Sequence, residues 1–238
     1  MTEQLIARLR RSPRLLLEKD GVQGPGPGSL SLVLARAGVG KTAFLVGIGL
    51  DALLTGGRVL HVTLDRTIDK VRDWYDDLLL ELLRLEPATP HPAEIQLAIE
   101  RRRHIHTFVG GSFSVDRLRT AADVLATHMD FRPGVLIVDR LGIETTPPGT
   151  IADLKRLAGE LGAELWMSCR THRESPEARP GHLPPPADRI EELVDLAFCL
   201  EPDGDTVRLE VIEDLREPSP RRTRVVLDPQ RLLLRPGA

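Results

Sequence analysis

The run Gly38-Val39-Gly40-Lys41-Thr42 is the first in the chain whose residue types and order could do chemistry together. Two glycines one residue apart let the backbone curl so that successive N–H groups face one concavity. An ammonium and a hydroxyl follow at once. Lys41 would bridge the outer phosphates of a polyphosphate, and the Thr42 hydroxyl would ligate a divalent cation held between them. With their neighbours, Ala37, Gly38, Val39, Gly40, Lys41, Thr42 and Ala43 form the expected binding stretch. Lysine is scarce here, with Lys19, Lys41, Lys70 and Lys155 the only four, so a lysine at this place is more telling. A second oxygen donor is expected from Asp139, which ends the apolar run Val135-Leu136-Ile137-Val138. Alone, such an aspartate is more often a cap. Coupled to a phosphate loop, it is the carboxylate that holds the cation through water.

These residues need a strand before the loop, a helix after it and a buried strand under Asp139, and the pattern supplies them. Leu30–Ala35 reads as an apolar strand, and 41–54 as a helix apolar on nearly every face, ended by Gly56-Gly57. Val59–Leu64 is the next strand. A helix with Ile68, Val71, Tyr75, Leu78 and Leu82 on one stripe follows it. A short helix leads to a strand at Ile105–Val109. Ser114 caps a helix carrying Val115, Leu118, Ala122, Leu125 and Met129. Val135–Val138, a helix over 151–161 and a strand over 165–169 continue the alternation. Leu196–Leu200, Val207–Ile212 and Thr223–Leu227 then read as strands without intervening helices. The expected fold is therefore α/β: a mostly parallel sheet flanked by helices, with an antiparallel β-hairpin edge at the C-terminal end. Residues 1–20 form a separate helical segment, with Leu5, Ile6 and Leu9 available for contact with a neighbouring protomer. Residues 21–238 form the binding domain.

Composition narrows the classes. A net charge of −3 argues against a surface that binds nucleic acid throughout. The clusters at Arg101–Arg103 and Arg221, Arg222 and Arg224 read as solvated faces. Cys169 and Cys199 lie in separate apolar runs, so no disulfide framework is expected and a reducing, cytoplasmic compartment fits. No stretch reaches membrane-spanning length. His104 and His106 flank Ile105 on one strand face, and the further ligands that a metal would need are missing.

The loop, the lead-in Gly28-Ser29-Leu30, the opening Ala35-Arg36 and the run Asp139-Arg140-Leu141 resemble the RecA-like P-loop ATPases. In detail they are similar to the ATPase domain of DnaB-type helicases and to the KaiC/RadA group, over roughly residues 20–230. The resemblance implies a RecA-like fold, ATP and Mg²⁺ as ligand and cofactor, and an oligomer with ATP at the subunit interface. It also assigns roles. Asp65 takes the place of a glutamate that orients the attacking water, although a helix N-cap explains Asp65 as readily. Arg216 takes the place of an arginine supplied to a neighbour's phosphates, where a solvated hairpin arginine is the alternative. Cys169 stands where the family often has a γ-phosphate-sensing glutamine, and Asp214 where it has a lysine. Catalytic roles thus fall to Lys41, Asp65 and Arg216, and the cation to Thr42 and Asp139.

The function expected is an Mg-ATP-binding ATPase or ATP-dependent switch, slow in hydrolysis and acting as a homo-oligomer or with a protein partner. The alternatives are a degenerate nucleotide-binding scaffold with little turnover, and a recombinase or helicase relative acting on DNA. Nucleic acid is not the favoured partner, and a membrane is not expected.

Overall fold

Hydrophobic alternation and helical stripes resolve into one sheet with helices on both faces. The computed structural model describes Leu9, Ser12, Arg14 and residues 24–86, 91–172, 182–214, 221–228 and 233–236. In chain order the elements are β1 (Leu30–Ala35), α1 (Lys41–Leu54), β2 (Val59–Leu64), α2 (Ile68–Leu85), α3 (Pro92–Arg102), β3 (Arg103–Phe108), α4 (Val115–Met129), β4 (Val135–Asp139), α5 (Pro148–Leu161) and β5 (Glu164–Arg170). A 3-10 segment, Ala187–Leu193, precedes β6 (Leu196–Asp203), β7 (Thr206–Asp214), β8 (Arg221–Leu227) and β9 (Leu234–Pro236).

Among the described residues nine strands form one sheet in the order β3-β2-β4-β5-β1-β6-β7-β8-β9. Every pair from β3 across to β6 is parallel, and β6 to β9 are antiparallel. The expected α/β class and its C-terminal hairpin edge are both present. The hairpin forms because β6 and β7 are joined by a tight turn at Gly204, whose φ of 57° suits glycine.

Side chains alternate between two cores. α1, α2 and α3 cover one face, with Phe44, Ile48, Tyr75 and Leu78 packed on Val33, Ile137 and Trp166. α4 and α5 cover the other, with Leu118, Ile151 and Leu154 on Leu32, Leu136 and Met167. α1 is buried nearly throughout, as its composition requires. The stripe on α2 departs from expectation at one end. Val71, Tyr75, Leu78 and Leu82 are buried, whereas Ile68, in the first turn, is 40% exposed. Met129 likewise projects into solvent from the last turn of α4. Burial stops short of these helix ends, so a stripe read by period alone overruns the core.

Leu9 is wholly buried in the α1 face of this chain's own core. Arg14 lies between α1 and β5, 3.1 Å from Glu164 and 3.9 Å from Asp51. Leu9 and Arg14 are therefore engaged within the chain, and Leu5 and Ile6 lie outside the described residues.

Candidate functional site

Gly38 and Gly40 carry φ values of 80° and 115°, backbone that a side chain opposes, and this lets the chain leave β1 and turn directly into α1. Gly40 is the N-cap of α1, so the first N–H groups of a buried fourteen-residue helix open onto the turn. The Lys41 ammonium folds back over it and donates to the carbonyls of Ala35 and Arg36, both at 2.8 Å. Burial lowers the pKa of Lys41 from the ordinary lysine range, with Asp139 opposing and Arg170 and Arg140 reinforcing. Behind the turn Leu227, at the end of β8, closes on Gly40: a Cβ there would lie 3.1 Å from the Leu227 Cδ2.

Asp139 arrives from β4, one strand removed from β1, with β5 between. Its neighbours Val135 and Ile137 belong to the α1-side core, so the two-residue alternation points Asp139 to the same face as α1. The Thr42 hydroxyl donates to Asp139 Oδ2 at 2.9 Å, joining residues 97 apart in sequence. Ser168 Oγ, from β5, donates to Asp139 Oδ1 at 2.6 Å. The Arg140 backbone N–H in turn donates to Ser168 Oγ at 3.0 Å, and Arg140 has a left-handed φ of 69°. The loop after Asp139 is held from behind by Arg189, which donates to the Ile143 carbonyl at 3.1 Å and to that of Glu144.

Residues 37–43 and Asp139 line one cavity of about 600 Å³, so the expected binding stretch and both expected cation ligands are brought together. The same cavity is lined by Arg140 and by Arg66, Trp74, Ser168 and Arg170, the last four of which the sequence did not single out for this site. Their contribution follows from strand order and register, which no local pattern reports.

Asp65 is placed otherwise. It follows β2, is solvent-exposed with a φ of 73°, and is not among the residues lining the cavity. Nor does it cap α2: Thr67 does, accepting from the Lys70 N–H at 3.3 Å. The helix-cap explanation of Asp65 is thereby corrected, and its backbone N–H meets the Phe108 carbonyl at 3.4 Å. Arg216 lies outside the described residues. Cys169 is buried on the opposite face from Asp139, and burial pushes its thiol up to about 12, so it is neutral.

Beneath the site, His61 and Thr63 lie on β2, and Thr63 is the register partner of Asp139. His61 Nδ1 lies 3.1 Å from the Tyr75 hydroxyl. Its Nε2 and the Thr63 hydroxyl are buried with no hydrogen-bond partner among the described residues. His104 and His106 are half-buried on β3 with stacked rings 6.4 Å apart. No group of three or more potential metal-ligating His, Cys, Asp or Glu side chains occurs among the described residues. No helix among them is long and apolar enough to cross a membrane.

Comparison with protein-family models and with curated proteins gives no match.

Proposed function

We propose that the chain binds Mg-ATP in this cavity and acts as a RecA-like, cytoplasmic ATP-dependent switch with slow hydrolysis, working as an oligomer. One observation carries the reading. The Thr42 hydroxyl and the Asp139 carboxylate meet at 2.9 Å beneath a glycine turn that also holds Lys41. Two glycines, an ammonium, a hydroxyl and a carboxylate converge there from segments far apart in sequence, on a helix N-terminus suited to anions.

The donor set suits Mg²⁺. Asp139 is 1% exposed and, among the described residues, takes part in no ion pair. A buried carboxylate of this kind favours a cation, and oxygen donors with room for water match a hard one. Thr42 and Asp139 would hold the ion, which when bound would supply charge neutralisation to the phosphates. The chain's own groups do the rest. The N–H groups of 38–42 cradle the phosphates. Lys41 commits two of its three protons to loop carbonyls, which leaves the third for a phosphate oxygen.

Binding with little turnover is the second reading, and two observations favour it. Asp65 lies outside the cavity lining, and the neutral Cys169 thiol is a weak donor where a glutamine amide would be a good one.

Calorimetric titration with Mg-ATP tests the site. The wild-type chain binds, and Lys41→Ala lowers the affinity by at least about tenfold, the loss expected for a charge-assisted hydrogen bond to phosphate. Equal affinities would overturn the assignment.

A further inference from the structure

Ser168 engages one of the two carboxylate oxygens of Asp139. A carboxylate at the end of a strand can rotate about χ1 and χ2, and only some orientations present an oxygen to Thr42. Here both oxygens are engaged, Oδ2 by Thr42 at 2.9 Å and Oδ1 by Ser168 at 2.6 Å. The direction of the chain of hydrogen bonds is fixed. Arg140 N–H can only donate, so Ser168 Oγ accepts from it and has its single proton left for Asp139. Ser168 is 5% exposed and sits on β5, the strand between the loop strand and the acid strand, so it occupies the gap between the two halves of the site. The same bond anchors Arg140 in a left-handed conformation that a non-glycine residue rarely adopts.

We infer that Ser168 is a positioning residue that sets the orientation of Asp139 for a divalent cation and fixes the turn that carries Arg140. This rests on the Mg-ATP reading above. Groups that orient a metal-binding carboxylate from behind change metal affinity by about 10–100-fold when removed. A residue serving only to fill the core would change stability alone.

The experiment compares the wild-type chain with Ser168→Ala and Ser168→Thr, using ATP as ligand and Mg²⁺ as the titrant. In Ser168→Ala the Mg²⁺ concentration for half-maximal ATP binding rises by about tenfold or more. ATP affinity in EDTA, which reports Lys41 and the loop, stays within about twofold. Ser168→Thr, which keeps the hydroxyl, remains close to wild type in Mg²⁺ requirement. Without any nucleotide, the Arg140 amide exchanges hydrogen faster in Ser168→Ala than in the wild type or Ser168→Thr. An unchanged Mg²⁺ requirement in Ser168→Ala, or an equal loss of affinity with and without Mg²⁺, overturns the inference while leaving the binding site intact. Failure of the wild-type chain to bind Mg-ATP overturns the underlying reading, and the Ser168 role with it.

Discussion

At the scale of single residues, the cavity separates groups that hold a ligand from groups that would act on it. Lys41, Thr42 and Asp139 are fixed by bonds of 2.8–2.9 Å before any ligand arrives, so little side-chain entropy is left to lose on binding. Asp65 has no such fixing among the cavity groups. Its carboxylate is exposed one residue before Arg66, which does line the cavity. If Asp65 orients water, it does so from a distance that one further methylene would shorten. The expected outcome is that Asp65→Glu raises steady-state phosphate release, whereas Asp65→Asn lowers it. General-base placement is worth roughly 10²–10⁴ in rate. Equal release from all three proteins would show that Asp65 has no part in turnover.

At the scale of elements, the glycine turn is held on both sides, by α1 ahead of it and by β8 behind. Gly40 tests that arrangement. At its φ of 115°, any side chain is strained by at least about 1–2 kcal/mol, and a Cβ would also press on Leu227 at 3.1 Å. Gly40→Ala is expected to lower the thermal midpoint and to weaken Mg-ATP binding together. Leu227→Ala, in Gly40→Ala, relieves the contact but not the φ strain and also empties a buried core position, so the thermal midpoint does not recover. Differential scanning calorimetry with and without nucleotide reads both effects.

How far the sequence carries depends on the same distinction between local and distant contacts. The bounds of β1, α1 and β2 follow from composition and glycine placement, because each is decided within a few residues. The phosphate stretch is legible for the same reason. Ser168 is not, because a serine in the apolar strand β5 becomes informative only once β5 lies between β4 and β1. Thr67 displaces Asp65 as the α2 cap because the chain turns through a left-handed residue first, and no pattern marks that turn. Ile68 and Met129 fit the helical period and are exposed, because a period reports a face and not where the sheet beneath it ends.

At the scale of the whole molecule, the buried polar groups of the sheet make stability depend on pH. Burial holds the His61 pKa at about 4 against an ordinary 6.5, with Asp139 opposing and Arg103 reinforcing. Between those values the unfolded chain binds a proton that the folded chain excludes, so stability falls as pH drops from 6.5 towards 4. His104 and His106, also lowered chiefly by burial, act with the same sign. Glu164 acts oppositely: burial raises its pKa, so the folded state gains as pH falls through that value. Thermal midpoints measured across this range are expected to decline towards acid for the wild type. His61→Asn keeps a hydrogen-bonding group for Tyr75 and removes up to roughly 3 kcal/mol of that decline. An identical slope in both proteins would place the dependence elsewhere.

The long reach of these contacts has a consequence for how the protein is made. The Thr42 hydroxyl meets Asp139 across 97 residues, and the Leu30 N–H meets the Asp195 carboxylate across 165. Synthesis adds about 5–20 residues per second, so about 5–20 s separate the appearance of Thr42 from that of Asp139. The glycine turn therefore leaves the ribosome early and acquires its shape late, and a nascent chain halted before β4 carries the motif without a place to bind anything.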